Sequence, residues 1–394
     1  MSNTNYEVNQ KLKHLTEDEL NELMIRYYNN EKITSLIEEY KINTIPSQLC
    51  LLFPPEICDD TFCPNCNIAM IIERKSRTSS SSKRNPKCSV CGHSETTNCR
   101  CDSCSERRKE AQLKEITQKK EMELKKRQVI NEVFELHDIV PIEMADLTFR
   151  DRLYIGSLLR LSLSEDMQYI EAVGKAKREL SPTEDLMEEI IQSLKSKNII
   201  VIHPNSDIGA FVDEEDVDFP YTYYRYSVNY YLNVGKSSQR DTVLKYLMNP
   251  PDIDIISNIM VASIWKEIAL AECLQYLKYQ MEKVHFSFNP GEKTISIFDD
   301  LLNEFSTSQV FGIIYKGITS STRYYQENKV SRQQAANSVI GACQRYAERA
   351  IINNWDILKY SRIIDLPQTV ISEFFFNKLL KIGDEGFNSI PRKL

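Results

Sequence analysis

A chain of 394 residues with 42% hydrophobic residues is long enough for two or three domains with buried cores, which excludes a wholly disordered protein. No stretch approaches 18 consecutive apolar residues, and the polar start MSNTNYEVNQKLK lacks the apolar core of a signal peptide, so we expect a cytoplasmic protein without membrane contact. The net charge of −7 is unevenly distributed: residues 63–128 hold 16 Lys and Arg against 8 Asp and Glu, which favours contact with phosphate or an acidic partner.

Changes of composition along the chain predict a mainly α, multidomain fold with a minor α+β part. Five segments follow from these changes. They are a helical, helix-turn-helix-like domain over residues 1–57, a zinc-binding module over 58–104, a charged connecting helix over 105–135, a winged-helix-like α+β region over 136–235 and an irregular helical domain over 236–394.

The N-terminal segment begins with a helix that has a clear start signal. Thr16 is the predicted N-cap, Glu19 completes a capping box, and apolar residues follow at helical spacing. Residues 33–49 then have the apolar spacing of a helix-turn-helix, whose second helix can lie in a major groove. Lys41 stands in the turn where a small residue is usual, and Pro46 stands at N1 of the second helix, a position that proline tolerates. Three-helix packing without DNA explains the same pattern.

The most informative stretch is the cysteine-rich segment from Cys63 to Cys104. Nine of the eleven cysteines lie between Cys50 and Cys104, largely in Cys-x-x-Cys pairs, which favours metal over disulfides in a chain without an export signal. Two pairs separated by 21 residues have nearly the spacing of a zinc ribbon, and Asn67 and Gly92 follow them where such turns need a left-handed residue. Seven cysteines and one histidine are enough ligands for two tetrahedral zinc ions. The predicted sites are Cys63, Cys66, Cys88 and Cys91 for the first ion, and His93, Cys99, Cys101 and Cys104 for the second.

Other pairings of these ligands stay open. An interleaved arrangement would have Cys63, Cys66, Cys101 and Cys104 at one site and Cys88, Cys91, His93 and Cys99 at the other. Cys58 can also replace His93, and a single zinc ion with the remaining thiols free is a further alternative. Otherwise Cys50 and Cys58 have the character of small buried residues. Because thiolates fill the coordination spheres and no His-Glu-x-x-His or His-x-Glu motif accompanies them, we expect a structural metal rather than a catalytic one.

Basic residues surround the cysteine pairs. The stretch SRTSSSSKRNP over residues 76–86 is too polar to pack, and residues 105–128 have the sparse apolar positions of a solvated helix. A solvated basic surface explains a charge run of this kind slightly better than a nucleic-acid contact does. The predicted phosphate contacts are Arg74, Lys75, Arg77, Lys83, Arg84 and Lys87.

The middle region has the element order of a winged helix. Ser181 is the predicted N-cap and Pro182 the first residue of a helix with one apolar face. Residues 199–202 then favour a strand, with a partner predicted near residues 210–212. The acidic run over residues 213–218 would repel phosphate, which argues against DNA contact by this region.

From residue 237 onward the chain is predicted to be mostly helical. The break at Asn289-Pro290-Gly291 ends a long helix over residues 257–283, and no repeat period relates the helices after it, so we expect an irregular domain rather than a solenoid. These later helices are predicted near residues 294–305, 308–328, 331–353 and 367–381.

No motif for a reaction stands out. Neither G-x-G-x-x-G nor G-x-x-x-x-G-K-[ST] occurs, and residues 290–294 match only the end of the latter without its glycine-rich loop. The five histidines form no nucleophile or metal pair, and Asp299, Asp300 and Glu304 fit the solvent face of a helix. The sequence therefore favours a protein that is not an enzyme.

Two short motifs carry a resemblance to known proteins. The knuckles Cys63-Pro64-Asn65-Cys66 and Cys88-Ser89-Val90-Cys91 resemble those of zinc-ribbon and treble-clef proteins over 42 of the 394 residues. This resemblance implies a structural zinc module and no particular function. The flanking architecture resembles that of bacterial proteins encoded in multi-component operons, including antiviral (antiphage) defence systems.

Three functional hypotheses follow. The leading one is a non-enzymatic, zinc-stabilised adaptor that binds nucleic acid, DNA rather than RNA, through its basic N-terminal part. Its helical C-terminal domain would bind a protein partner or a second copy of the chain. The second hypothesis is a structural assembly subunit whose zinc module docks on another protein. The third is an effector enzyme with its site in the C-terminal helical domain.

Overall fold

The computed structural model describes residues 8–79, 85–250 and 258–391. These residues are mostly helical, and their four short strands form two two-stranded sheets, which confirms the mainly α class. The chain divides into two compact units, Met1–Glu123 and Leu124–Leu394. The finer division into five segments stays a prediction. Within the described ranges, no helix combines the length and apolar character needed to cross a membrane.

The first unit opens with helices around a small core. Helix α1 (Glu17–Tyr28) starts as predicted, because the Thr16 hydroxyl accepts a hydrogen bond from the Glu19 amide at 3.3 Å while the Glu19 carboxylate accepts one from the Thr16 amide at 2.8 Å. Helix α2 (Ile33–Glu39) follows. The core that they share includes Leu23, Tyr27, Leu36, Leu49 and Phe53, all fully or almost fully buried.

The second helix of the predicted helix-turn-helix is a 3₁₀ helix, so the prediction of an α-helix there is wrong. Lys41 takes the left-handed conformation that the turn requires, with φ of +50°. Pro46–Leu52 then forms a 3₁₀ helix with proline in its first turn, not an α-helix. The Gln48 amide bonds to the Ile45 carbonyl three residues back at 3.0 Å, which tightens the backbone beyond α geometry. A seven-residue 3₁₀ helix lacks the regular face with which an α-helix contacts base edges.

A long charged helix crosses the boundary between the units. Helix α3 (Asp102–Val133) begins three residues before and ends two residues before the connecting helix predicted over residues 105–135, and every side chain from 106 to 125 is exposed. Over residues 106–125 the helix is therefore solvated on all its faces.

The second unit has one hydrophobic core, which extends from Ile130 to Phe387 and encloses Trp265. Its elements are α4 (Phe149–Ser162), α5 (Glu184–Ser196), β3 (Ile200–Ile202), β4 (Tyr230–Leu232), α6 (Arg240–Met248), α7 (Asn258–Lys283), α8 (Glu292–Leu301), α9 (Thr307–Glu327), α10 (Arg332–Ile352), α11 (Val370–Glu373) with a π-helical continuation (Phe374–Leu379), and α12 (Glu385–Asn388).

Two details of the middle region differ from the predictions. The N-cap of α5 is Thr183 and not Ser181, because the Thr183 hydroxyl accepts from the Leu186 amide at 3.3 Å while the Ser181 hydroxyl donates to the Thr183 carbonyl. Strand β3 pairs antiparallel with β4, not with residues 210–212. Ala210 is the last residue of a short 3₁₀ helix, Ile208–Ala210, and Phe211 forms an isolated antiparallel bridge to Tyr223.

A buried carboxylate stabilises the start of α4. Asp151 is only 2% exposed, and its oxygens accept from the Thr148 hydroxyl at 2.6 Å and from Lys197 Nζ at 2.7 Å. Burial alone would raise the pKa of Asp151, but these hydrogen bonds outweigh burial and lower the pKa below its usual value. The charged form is therefore the one that the fold stabilises.

We predict that Asp151→Ala destabilises the second unit by about 2 kcal/mol, because it removes a cap and leaves Lys197 without its buried partner. Both tryptophans of the chain, Trp265 and Trp355, lie in this unit, so urea unfolding followed by tryptophan fluorescence measures it selectively. A group whose folded pKa is lowered stabilises above its unfolded pKa, so the difference should be full at neutral pH and shrink below about pH 4.

The exposed Asp138 provides the matched control, and Asp138→Ala should leave the unfolding midpoint unchanged. Equal midpoints for the wild type and Asp151→Ala at neutral pH would contradict the assigned role.

Candidate metal centre

The first knuckle caps a β-hairpin. Strands β1 (Glu56–Phe62) and β2 (Ala69–Ile72) pair antiparallel, and the turn between them carries Cys63 and Cys66. The Cys63 amide donates to the Ile68 carbonyl and the Asn67 amide donates to the Cys63 carbonyl, both at 2.8 Å. Asn67 takes the left-handed φ of +53° that was predicted for this position.

The second knuckle repeats this backbone pattern. The Cys88 amide donates to the His93 carbonyl at 2.7 Å, and the Gly92 amide donates to the Cys88 carbonyl at 3.0 Å. Gly92 has φ of +69°, where a side chain would be strained. Just before this knuckle, Lys87 exchanges two backbone hydrogen bonds with Ile71 of β2, so the hairpin brings the two turns together.

The four cysteines of the two knuckles form one cluster. The sulfur atoms of Cys63, Cys66, Cys88 and Cys91 all lie within 4.8 Å of one another, and those of Cys63 and Cys91 are 3.5 Å apart. Sulfur atoms around a tetrahedral zinc ion at about 2.3 Å lie about 3.8 Å from each other. The first cluster therefore fits a zinc site.

The second cluster combines His93 with three cysteines. The Nδ1 atom of His93 lies 3.5 Å from the sulfur of Cys99, 3.6 Å from that of Cys101 and 3.3 Å from that of Cys104. Ligand distances of about 2.0 Å for nitrogen and 2.3 Å for sulfur place these atoms about 3.6 Å apart in a tetrahedral site. This cluster also fits zinc, and Nδ1 is the histidine atom that would bind it.

The grouping of the side chains matches the first of the predicted pairings. Neither interleaved set is brought together, and Cys58 lies on β1 opposite Met70 rather than with His93. Cys50 is buried, and its sulfur lies 3.5 Å from the Arg74 carbonyl in the helical part of the unit. Among the described residues, these two clusters are the groups of Cys, His, Asp and Glu that lie close enough to hold a metal ion.

Backbone amides favour the thiolate form that a metal needs. The Cys101 and Ser94 amides donate to the Cys99 sulfur and lower the pKa of Cys99 to about 6. Burial opposes ionisation of Cys91, but the His93 amide and the neighbouring thiols outweigh it and lower the pKa of Cys91 to about 6. Within each cluster the pKa of another thiol moves in the opposite direction. Hydrogen bonding to Cys91 raises the pKa of Cys66 to about 12. The Cys104 amide favours ionised Cys101, but burial and the neighbouring thiols outweigh it and raise the pKa of Cys101 to about 11.

Side chains outside the ligand sets contact both clusters, and these contacts were not predicted from the sequence. Asn65 Nδ2 lies 3.7 Å from the Cys101 sulfur, and Arg107 Nη2 donates to the Cys104 sulfur at 3.4 Å. Arg108 donates to the backbone carbonyls of Thr97 and Cys99. The sequence gives no signal for Asn65, because many residue types can occupy either middle position of a Cys-x-x-Cys knuckle.

The predicted phosphate contacts have mixed placements. Arg74 donates to the Pro54 carbonyl at 2.8 Å, and Arg77 donates to the Tyr27 carbonyl at 3.0 Å and the Glu31 carbonyl at 2.7 Å. Lys75 is half-buried, whereas Lys87 is exposed with its ammonium 3.9 Å from Glu73. Lys83 and Arg84 lie outside the described residues.

Arg77 therefore attaches the cysteine module to α1 and the loop after it, and Arg74 attaches the module to the segment just before β1. Arg77 also lies over the Tyr27 ring, with 5.1 Å from its guanidinium carbon to the ring centre. These hydrogen bonds to backbone carbonyls occupy N–H groups that could otherwise donate to a phosphate.

Comparison of the chain with protein-family models, curated proteins and solved structures found no match.

We predict two zinc ions per chain by elemental analysis of the purified protein, one in each cluster. Cys104→Ala removes a ligand of the second cluster and should lower the content to one. Cys58→Ala leaves both ligand sets complete and should keep it at two. A content of one in the unmodified chain would support the single-ion alternative, and loss of zinc from Cys58→Ala would contradict the ligand sets.

Proposed function

We propose that this protein is a non-enzymatic adaptor in which two structural zinc ions support a basic surface that binds nucleic acid. The observation that carries the proposal is the pair of complete four-ligand sets within the most basic part of the chain. Catalytic zinc keeps one position open for water or substrate, whereas four protein ligands close both spheres. The metal then stabilises a surface and activates no substrate.

The charge of the loaded module supports the same proposal. Seven thiolates and two Zn²⁺ ions carry a combined charge of about −3. The surplus of eight positive charges over residues 63–128 therefore falls to about +5 when both sites are filled. The remaining cations include Lys109, Lys114 and Lys120, which are exposed on α3 and can approach phosphates without a change of fold. Binding of this kind is largely independent of base sequence, and we propose DNA as its first target.

The second unit is the proposed protein-binding part. Ile352 is 77% exposed and Leu358 is 73% exposed, on either side of the half-exposed Trp355, and Ile364 is 97% exposed. Large apolar side chains close together in sequence and open to solvent are typical of surfaces that bind other proteins. A partner protein or a second copy would remove them from water.

A specific observation favours a second candidate, a structural assembly subunit whose zinc module contacts protein only. Arg74 and Arg77 are engaged by carbonyls of their own chain, and Lys126 at the end of the basic segment pairs with Asp213 in the acidic run. Part of the positive charge of the basic segment is therefore already engaged by acceptors within the protein. On this hypothesis the remaining basic residues meet an acidic protein surface.

We predict that a zinc chelator unfolds the metal module selectively, since structural zinc couples its binding free energy to folding. Hydrogen exchange should increase in residues 56–105, while the urea midpoint seen by tryptophan fluorescence should not move, because both tryptophans lie in the second unit. Restored protection after zinc is added back controls for irreversible damage. Unchanged exchange in the chelated module would contradict a structural role for the metal.

For nucleic acid, we predict salt-dependent binding of labelled duplex DNA, measured by fluorescence anisotropy. Replacing Lys109, Lys114 and Lys120 together by Glu should weaken binding at least tenfold at low salt and flatten the salt dependence, because fewer counterions are released. The control replaces Lys316, Lys359 and Lys378, exposed lysines of the second unit, by Glu and makes the same change of net charge. Single-stranded DNA and RNA of equal length test the preference for duplex DNA.

Two outcomes would count against nucleic-acid binding. Equal weakening by both triple variants would mean that net charge alone is responsible. No binding at about 20 mM salt by a fully zinc-loaded protein would select the assembly-subunit hypothesis instead.

A further inference from the structure

Asn65 occupies an unusual place between the two clusters. It stands in the first knuckle, between two ligands of the first cluster, yet its side chain also reaches the second. Its Nδ2 atom lies 4.0 Å from the Cys91 sulfur and 3.7 Å from the Cys101 sulfur. One amide group therefore faces a ligand of each cluster.

The other end of the same amide is also engaged. The Oδ1 atom of Asn65 accepts from the Ser103 hydroxyl at 3.0 Å and from Arg107 Nη2 at 3.4 Å. The same Arg107 nitrogen donates to the Cys104 sulfur at 3.4 Å. Asn65, Ser103 and Arg107 thus connect the first knuckle to the beginning of α3, which carries the last ligand of the second cluster.

The hydrogen-bond donors and acceptors around the Asn65 side chain determine the orientation of its amide. Thiolate sulfurs accept hydrogen bonds and do not donate them, whereas Ser103 and Arg107 present donors. A flipped amide would place its oxygen against two thiolates and its NH₂ group against two donors. The orientation with nitrogen toward sulfur is therefore the favourable one.

We propose that Asn65 is a positioning residue that couples the two metal sites, so that zinc in one site raises the affinity of the other. Groups that hydrogen-bond to metal ligands orient them and offset their charge, and losing such a group typically costs about 10- to 100-fold in metal affinity. Because a single amide serves both sites, a metal bound at either one holds it in place for the other. This inference rests on the proposed zinc binding described above.

The backbone supplies a separate connection. Gly92 alone separates Cys91 of the first cluster from His93 of the second. Loss of the Asn65 amide leaves this connection and all eight ligands in place, so Asn65→Ala tests the side chain alone.

The experiment is a double-mutant cycle on the full-length chain, with Co²⁺ as an absorbing substitute for zinc under anaerobic conditions. Cys63→Ser with Cys66→Ser disables the first site, and the Co²⁺ affinity of the second is measured with and without that change. With Asn65 intact, disabling the first site should lower the affinity of the second at least tenfold. In the Asn65→Ala background the same change should alter it less than threefold. Only a side chain that couples the sites predicts this difference between backgrounds.

The reciprocal cycle guards against a ligand variant that simply fails to fold. Cys99→Ser with Cys104→Ser disables the second site, and by thermodynamic reciprocity the first should lose affinity by the same factor. Asn98→Ala, which removes an exposed asparagine of the same module, is the control and should keep the coupling. Equal effects in the Asn65 and Asn65→Ala backgrounds, or unequal factors in the two directions, would overturn the proposal. If the unmodified chain bound no Co²⁺ or zinc at all, the proposed metal function itself would fail.

Discussion

Thiolates held a few ångströms apart repel one another, and that repulsion is the constraint on which the cysteine module depends. The Cys63 and Cys91 sulfurs lie 3.5 Å apart, a distance that two anions tolerate only with a cation or a proton between them. Backbone amides that favour ionised Cys91 and Cys99 increase the need for the cation. The knuckles, the hairpin and the start of α3 have few buried apolar side chains with which to compensate, since the core of the module is limited to residues such as Met70. A metal ion is thus the natural centre of this part of the fold.

Local signals were sufficient for many elements of the structure. The capping box of Thr16 and Glu19 depends on residues three apart, and the left-handed Asn67 and Gly92 depend on their own turns. The closing of each Cys-x-x-Cys knuckle also followed from spacing, but spacing left the pairing of the ligands open, because the grouping into two sets depends on how the whole module folds. A structural feature that is determined by residues within one turn of the chain can be predicted from a single sequence.

Features determined by distant residues could not be found in this way. Strand β3 pairs with β4 nearly thirty residues away, across an intervening segment that contains its own short turn, and no local pattern identifies that partner. Asp151 finds Lys197 through the packing of α4 and α5, and Asn65 meets Cys101 only after the module has closed. The 3₁₀ geometry of Pro46–Leu52 could not be predicted for another reason, since the apolar spacing of this segment fits an α-helix as well. Tertiary contacts determine the strand pairing and the contacts of Asp151 and Asn65.

The single glycine between the clusters has an evolutionary consequence. Gly92, in the left-handed conformation, is the single residue between a ligand of one site and a ligand of the other, so an insertion there would move the two ligands apart. The chain between Arg77 and Lys87 is different, because it holds no metal ligand and loop length costs little free energy. Related sequences should therefore keep C-x₂-C-x-H-x₅-C-x-C-x₂-C without gaps while the distance from Cys66 to Cys88 drifts. That rigid pattern, and not similarity over the whole chain, is how distant members of this lineage would be found.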